Sequence, residues 1–146
     1  MSIEARQVHS GSCHCGAIRV TLELTRTAEE TQVRSCQCGF CTRQGSLTVS
    51  DPAGKAVIEI DAAAYLPYRF GTQTATSLVC GRCGVYAGVM LSEGDKVWSV
   101  ANARGLAIDA FRERTGIPMH YDEETADERI ARRKQKWTPT ILRFKL

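Results

Sequence analysis

At 146 residues and 43% hydrophobic content, the chain can bury one core, hiding roughly 70% of the surface its unfolded form exposes, which predicts a single domain over residues 1–146. No stretch approaches the roughly 20 apolar residues of a membrane span, and MSIEARQVHSGS lacks the apolar run of a secretory signal, so the expected localisation is the reducing cytoplasm. The formal charge of +3 counts all 7 cysteines as neutral; thiolates on two zinc ions would cancel it, so net charge lends little support to a nucleic-acid partner.

In chain order, the first clear element is residues 17–24, where Ile18, Val20, Leu22 and Leu24 alternate with polar neighbours at the period of a half-buried strand. Short β-type runs follow at residues 56–60, 65–70, 74–80, 85–91, 96–101 and 140–146, with Pro67 marking an edge or bulge. Turn signals such as Asp51-Pro52-Ala53-Gly54 and Glu93-Gly94-Asp95 separate them, which predicts a mainly β, antiparallel domain. Residues 105–121 read either as a short helix ending at Gly116 or as an ordered loop.

Residues 122–136 read as a C-terminal helix. Acids come early (Asp122, Glu123, Glu124, Asp127, Glu128) and bases late (Arg129, Arg132, Arg133, Lys134, Lys136), complementing the helix dipole. Thr125 and Glu128 have capping-box spacing, and Pro139 is read as the stop. A solvated helix end accounts for the basic run without a partner; a nucleic-acid stripe is the competing reading.

The 7 cysteines fall into three clusters: Cys13 and Cys15, then Cys36, Cys38 and Cys41, then Cys80 and Cys83. In a reducing compartment an odd count at such spacings reads as metal binding rather than as disulfides. In an extended segment Cys13 and Cys15 share a face while His14 points away, and Cys80-Gly81-Arg82-Cys83-Gly84 has zinc-knuckle spacing. These two pairs make a four-thiolate site, closed to further ligands and therefore structural. Cys36, Cys38 and Cys41 can meet at a second ion, the third cysteine lying about one helical turn beyond the second. That ion either keeps an open position or is completed by His120 or a carboxylate; a vacant redox-sensitive thiol cluster is the remaining alternative.

With Gly11-Ser12-Cys13-His14-Cys15-Gly16-Ala17, Cys36-x-Cys38-x-x-Cys41 and Cys80-x-x-Cys83-Gly84, the chain resembles the glutathione-dependent formaldehyde-activating enzyme family, which includes the centromere protein V group. The resemblance covers about residues 8 to 104 and all seven cysteines. It implies several small twisted antiparallel sheets stapled by zinc. It further implies two zinc ions per chain, one structural at Cys13, Cys15, Cys80 and Cys83 and one catalytic at Cys36, Cys38 and Cys41. The family's activity is condensation of formaldehyde with glutathione to S-hydroxymethylglutathione, a carbon–sulfur lyase reaction in reverse. The chain departs from many members at Gln37 and Gly39, where those read His and Ser; a glutamine cannot transfer a proton at neutral pH.

The function expected from these residues is a zinc-dependent carbon–sulfur lyase handling glutathione or another thiol with an aldehyde such as formaldehyde. The alternatives are a non-catalytic carrier of thiol adducts and a zinc-stapled interaction module. Arg43, Gln44, Asn102 and Arg104 are candidates to hold a substrate carboxylate or amide, with ordinary surface or turn roles as the competing reading. Tyr86 and Trp98 read as core aromatics, and His9, His14 and His120 form no catalytic triad pattern. Neither a nucleic acid nor a membrane is expected as a partner, and no sequence feature fixes the oligomeric state.

Overall fold

The structure, a computed structural model, describes residues 6–146. Strand β1 (Gln7–Ser12) pairs antiparallel with β2 (Ile18–Leu24), and the expected alternation buries one face of β2: Ile18, Val20, Leu22 and Leu24 lie inside. Then come β3 (Arg34–Cys36), α1 (Gly39–Gln44), β4 (Thr48–Val49) and β5 (Lys55–Asp61), the last antiparallel to β2. The strands β6 (Tyr65–Tyr68), β7 (Thr76–Cys80), β8 (Tyr86–Glu93) and β9 (Lys96–Asn102) form an antiparallel meander close to the predicted runs. After them stand β10 (Ile117–Met119), α2 (Ala126–Lys136) and β11 (Thr138–Lys145).

The expected set of several small antiparallel sheets is replaced by one mixed 11-stranded sheet. The cause is β11. Its first residues, Thr138 and Pro139, pair antiparallel with Ser99 and Trp98 of β9, whereas Thr140 to Lys145 run parallel to Ala56 to Asp61 of β5. One strand thus stitches the β1-β2-β5 layer to the meander. Pro139, read from sequence as a helix stop, sits within this strand near its start, where a missing N–H is tolerated. The helix is ended instead by Trp137, whose N–H donates to Arg133 O at 2.8 Å.

Helix α2 begins at Ala126, later than the sequence suggests, because the capping box closes there: Glu128 N–H donates to Thr125 Oγ1 at 3.1 Å, and Thr125 N–H to Glu128 Oε1 at 2.9 Å. Residues 105–121 form neither a helix ending at Gly116 nor a plain loop. Leu106, Ile108 and Phe111 are buried in the main core around a short 3-10 turn (Asp109–Phe111), and β10 adds a second parallel pairing, to β3. A smaller apolar cluster of Leu91, Val100 and Trp137, with Ile130 against it, seats α2 on the sheet. Among the described residues no helix is long and apolar enough to cross a membrane.

Candidate metal centres and the cavity beside them

Cys13 and Cys15 lie in a turn rather than the extended segment expected from their spacing. Gly16 N–H closes it on Cys13 O at 3.0 Å, and Gly16 takes φ +84°. Cys80 and Cys83 form a matching knuckle, with Gly84 at φ +81° donating to Cys80 O at 2.8 Å. Such left-handed geometry favours glycine, and a side chain at either position would strain the turn. Each knuckle is fastened to its following strand alike: Cys13 N–H to Ile18 O at 2.9 Å and Cys80 N–H to Val85 O at 3.0 Å.

The four sulfurs converge within 4.8 Å of one another, with Cys13 Sγ to Cys15 Sγ at 3.8 Å and Cys15 Sγ to Cys80 Sγ at 3.5 Å. A tetrahedron with metal–sulfur bonds of about 2.3 Å has sulfur–sulfur edges of about 3.8 Å, so the donor set and its spacing fit zinc. All seven cysteines are free thiols. Cys13 and Cys80 are fully buried, and the knuckles thereby join the starts of β2 and the β7–β8 turn to the main core.

The second cluster is assembled across an element boundary. Cys36 ends β3, Cys38 is the N-cap of α1, and Cys41 lies in the first turn of α1. Cys41 N–H donates to Cys38 Sγ at 3.3 Å, the role a serine or aspartate plays at an ordinary helix start. Pairing of Cys36 with Met119, and Gln37 N–H to Met119 O at 2.9 Å, fixes the segment against β10. The three sulfurs lie within 4.8 Å of one another and could supply three of a zinc ion's four positions.

Hydrogen bonds from the Cys36 and Cys41 thiols, working against burial, push the Cys38 thiol down to about 2. Sharing its proton with Cys38 raises Cys36, and hydrogen bonds to Cys36 and Cys38, followed by burial, raise Cys41 strongly. Burial first, then the neighbouring sulfurs of Cys41, Cys36 and Cys38, lifts the fully buried Tyr86 hydroxyl well above the usual phenol range.

A cavity of about 500 Å³ opens beside Cys36, Cys38 and Cys41, and the four-cysteine site is not part of its wall. Phe40, Phe70, Tyr86 and Tyr121 give it an aromatic side, and Phe40 packs edge-on against Tyr86 at 5.0 Å between centroids. The opposing chemistry comes from Arg34 on β3 and from Arg129, Arg132 and Arg133 on α2. Positions 129, 132 and 133 share one helix face by the i, i+3, i+4 rule. The α2 arginines therefore form a cavity wall, a correction to their reading as a solvated helix end.

Each arginine is held differently. Arg132 is paired with Glu124 at 3.0 Å and lies over the Tyr121 ring at 3.6 Å, while Arg129 donates to Tyr121 O at 2.9 Å. Arg133 donates to Thr74 Oγ1 at 2.7 Å, and among the described residues its buried Nε has no hydrogen-bond partner. Burial, then the like charges of Arg132 and Arg129, brings the Arg133 guanidinium down to about 10, still charged at neutral pH. Arg34, anchored to Ser50 Oγ, is also lowered by burial.

Of the other sequence candidates, Arg43, Gln44, Asn102 and Arg104 do not line the cavity. Asn102 is instead a buried clip: Leu47 N–H donates to its Oδ1 at 3.0 Å, and its Nδ2 donates to Tyr86 O at 2.8 Å. Arg43 bonds Gly39 O of its own helix at 2.7 Å. His14 stands outside both cysteine groups, and His120 lines the cavity without joining the three sulfurs. Tyr86 is buried as expected, yet also floors the cavity. Sequence reading missed Arg34, Tyr121 and Phe70 altogether; the one usable signal was that Arg129, Arg132 and Arg133 fall on a single face of α2.

No family model matches the chain. Among solved structures it is similar to the crystal structure of a Rhodobacter sphaeroides protein, a Northeast Structural Genomics target, with 28% sequence identity and a TM-score of 0.54 over 75% of this chain and 97% of that one.

Proposed function

We propose that the chain is a zinc-dependent carbon–sulfur lyase, related to the glutathione-dependent formaldehyde-activating enzymes, which joins a thiol to an aldehyde carbon and releases it again. On this reading Cys13, Cys15, Cys80 and Cys83 hold a structural zinc, and Cys36, Cys38 and Cys41 hold the catalytic one. The observation that carries it is the asymmetry of the two clusters: three convergent thiols border a ligand-sized cavity, while the four that can complete a tetrahedron stand away from it.

A zinc ion held by Cys36, Cys38 and Cys41 would supply a Lewis-acidic position at which a thiol ionises and a carbonyl is polarised. The chain's own residues do the rest. Phe40, Phe70 and Tyr86 give the reacting sulfur an apolar flank. The arginine wall orients an anionic thiol with its sulfur toward the cysteines. In the addition, a sulfur–carbon bond forms as the carbonyl π bond breaks, and the thiol proton ends on the carbonyl oxygen. Gln37 cannot carry that proton, whereas His120 is an imidazole lining the same cavity.

Exchange spectroscopy of glutathione with formaldehyde, using the zinc-loaded protein, tests this: acceleration over the spontaneous reaction is expected, with loss in Cys38→Ser. No acceleration with glutathione or with other small thiols would sink the lyase. Gln37, a carboxamide where many family members carry histidine, favours a second reading, a carrier that holds the adduct without turning it over. Calorimetric binding without any rate effect would select it.

A further inference from the structure

We propose that the cavity contains a separate anion subsite, built from Arg34 and Arg133, that takes a group bearing two negative charges on the ligand's tail. The placement of the thiol end at the cysteines rests on the lyase reading, but the subsite does not. Of the four arginines facing the cavity, Arg132 is neutralised by Glu124 at 3.0 Å, and Arg129 is engaged by the carbonyls of Tyr121 and Glu124. Among the described residues the side chains of Arg34 and Arg133 hydrogen-bond only to hydroxyls, Ser50 Oγ and Thr74 Oγ1; Arg133 also lies over the Trp137 ring at 5.1 Å, and neither pairs with a carboxylate. The remaining acid on the wall, Asp122, is exposed and forms no ion pair among the described residues.

Two largely buried guanidinium groups without counter-charge are costly unless something else supplies it, and the buried, unpartnered Nε of Arg133 leaves a donor unused. Thr72 and Thr74 share one hydroxyl hydrogen bond at 2.7 Å, which leaves one of their two hydrogens to donate, and Ser77 adds another hydroxyl to the same wall, so tetrahedral or paired planar oxygens would find both charge and hydrogen bonds there. The shared chemistry is a dianion, either a phosphate monoester or a pair of carboxylates. A neutral aliphatic thiol would leave both guanidinium groups without counter-charge and gain nothing from α2.

The test is calorimetric titration of the zinc-loaded full chain with inorganic phosphate, succinate and acetate at low salt. Phosphate or succinate should bind one to one and at least tenfold more tightly than acetate, and the tighter of the two identifies the source of the charge. Arg133→Gln and Arg34→Gln should each weaken that binding at least tenfold, Arg133→Lys by less, and Arg43→Gln, outside the cavity, not at all. Cys38→Ser, which keeps a good helix cap, should retain phosphate binding. Equal affinity for acetate, indifference to Arg133→Gln, or loss of phosphate in Cys38→Ser would overturn the subsite, the last by placing the anion on the metal. Absent thiol–aldehyde turnover with phosphate binding intact refutes the lyase alone; the converse refutes the subsite alone.

Discussion

Asn102→Ala separates a ligand-binding asparagine from a structural one. Asn102 is 2% exposed and joins two places at once, receiving Leu47 N–H at 3.0 Å and donating to Tyr86 O at 2.8 Å. Truncation removes both bonds and leaves a buried donor and a buried acceptor behind, each costing about 1–3 kcal/mol, so the sum is about 3 kcal/mol. With a urea dependence of about 2 kcal/mol per molar, the unfolding midpoint should fall by about 1.5 M. The assay is urea denaturation followed by tryptophan fluorescence at fixed free zinc, since metal bound to the native state adds to apparent stability. A midpoint shift below about 0.5 M, together with weakened ligand binding, would refute the clip and return Asn102 to the list of substrate contacts.

The two cysteine clusters should respond unequally to loss of a ligand. Cys13→Ser should abolish the folded circular dichroism spectrum, because a structural zinc contributes roughly 10–16 kcal/mol of apparent binding energy in small peptides. Cys38→Ser should keep that spectrum and lose one zinc per chain by native mass spectrometry. Asp51 is partly desolvated, but hydrogen bonds from the Thr25 hydroxyl and backbone and from Ala53 N–H outweigh burial and lower its pKa. Its stabilisation is therefore present above the ordinary aspartate range and is lost as pH falls through and below it; Asp51→Asn should lose stability at neutral pH and converge with the wild type in acid, measured by thermal unfolding. Thr125→Ala should cost about 1 kcal/mol at the α2 cap and raise hydrogen exchange of the first α2 amides, with little change elsewhere.

Much of the meander was legible because its strands are long enough to show a pattern. The alternation of Ile18, Val20, Leu22 and Leu24 became the buried face of β2, and the Thr125–Glu128 capping box formed as its spacing predicts. The four-plus-three grouping of sulfurs also followed from spacing, although the first pair reaches it through a turn at Gly16. What escaped was set by distant partners. Strands β3, β4 and β10 are two or three residues long and hold no periodicity of their own. β1 carries no apolar alternation, and Val8 is 62% exposed, because only its backbone pairing with β2 defines it. The arginines of α2 complement the helix dipole just as solvated ones would; that they face a cavity is decided by Cys36 lying beside Met119, which brings Tyr121 under the helix.

The stitching strand β11 also bears on how the chain finds its fold. Thr140 lies beside Ala56, so the last strand to be threaded joins points separated by most of the sequence, a contact of the kind that slows folding. Until it arrives, the outer edge of β5 is an open row of amides and carbonyls that another chain could pair with. The two knuckles shorten that search once β2 is paired to β5: Ile18 then lies beside Ile60, one metal ion holding Cys13 and Cys15 to Cys80 and Cys83 sets the second knuckle near the end of β5, and the free loop behind the β5–β11 pairing runs from Cys83, which lowers the entropy of closing it. Zinc would then act as a template during refolding, and aggregation of chains refolded with a chelator would start at β5.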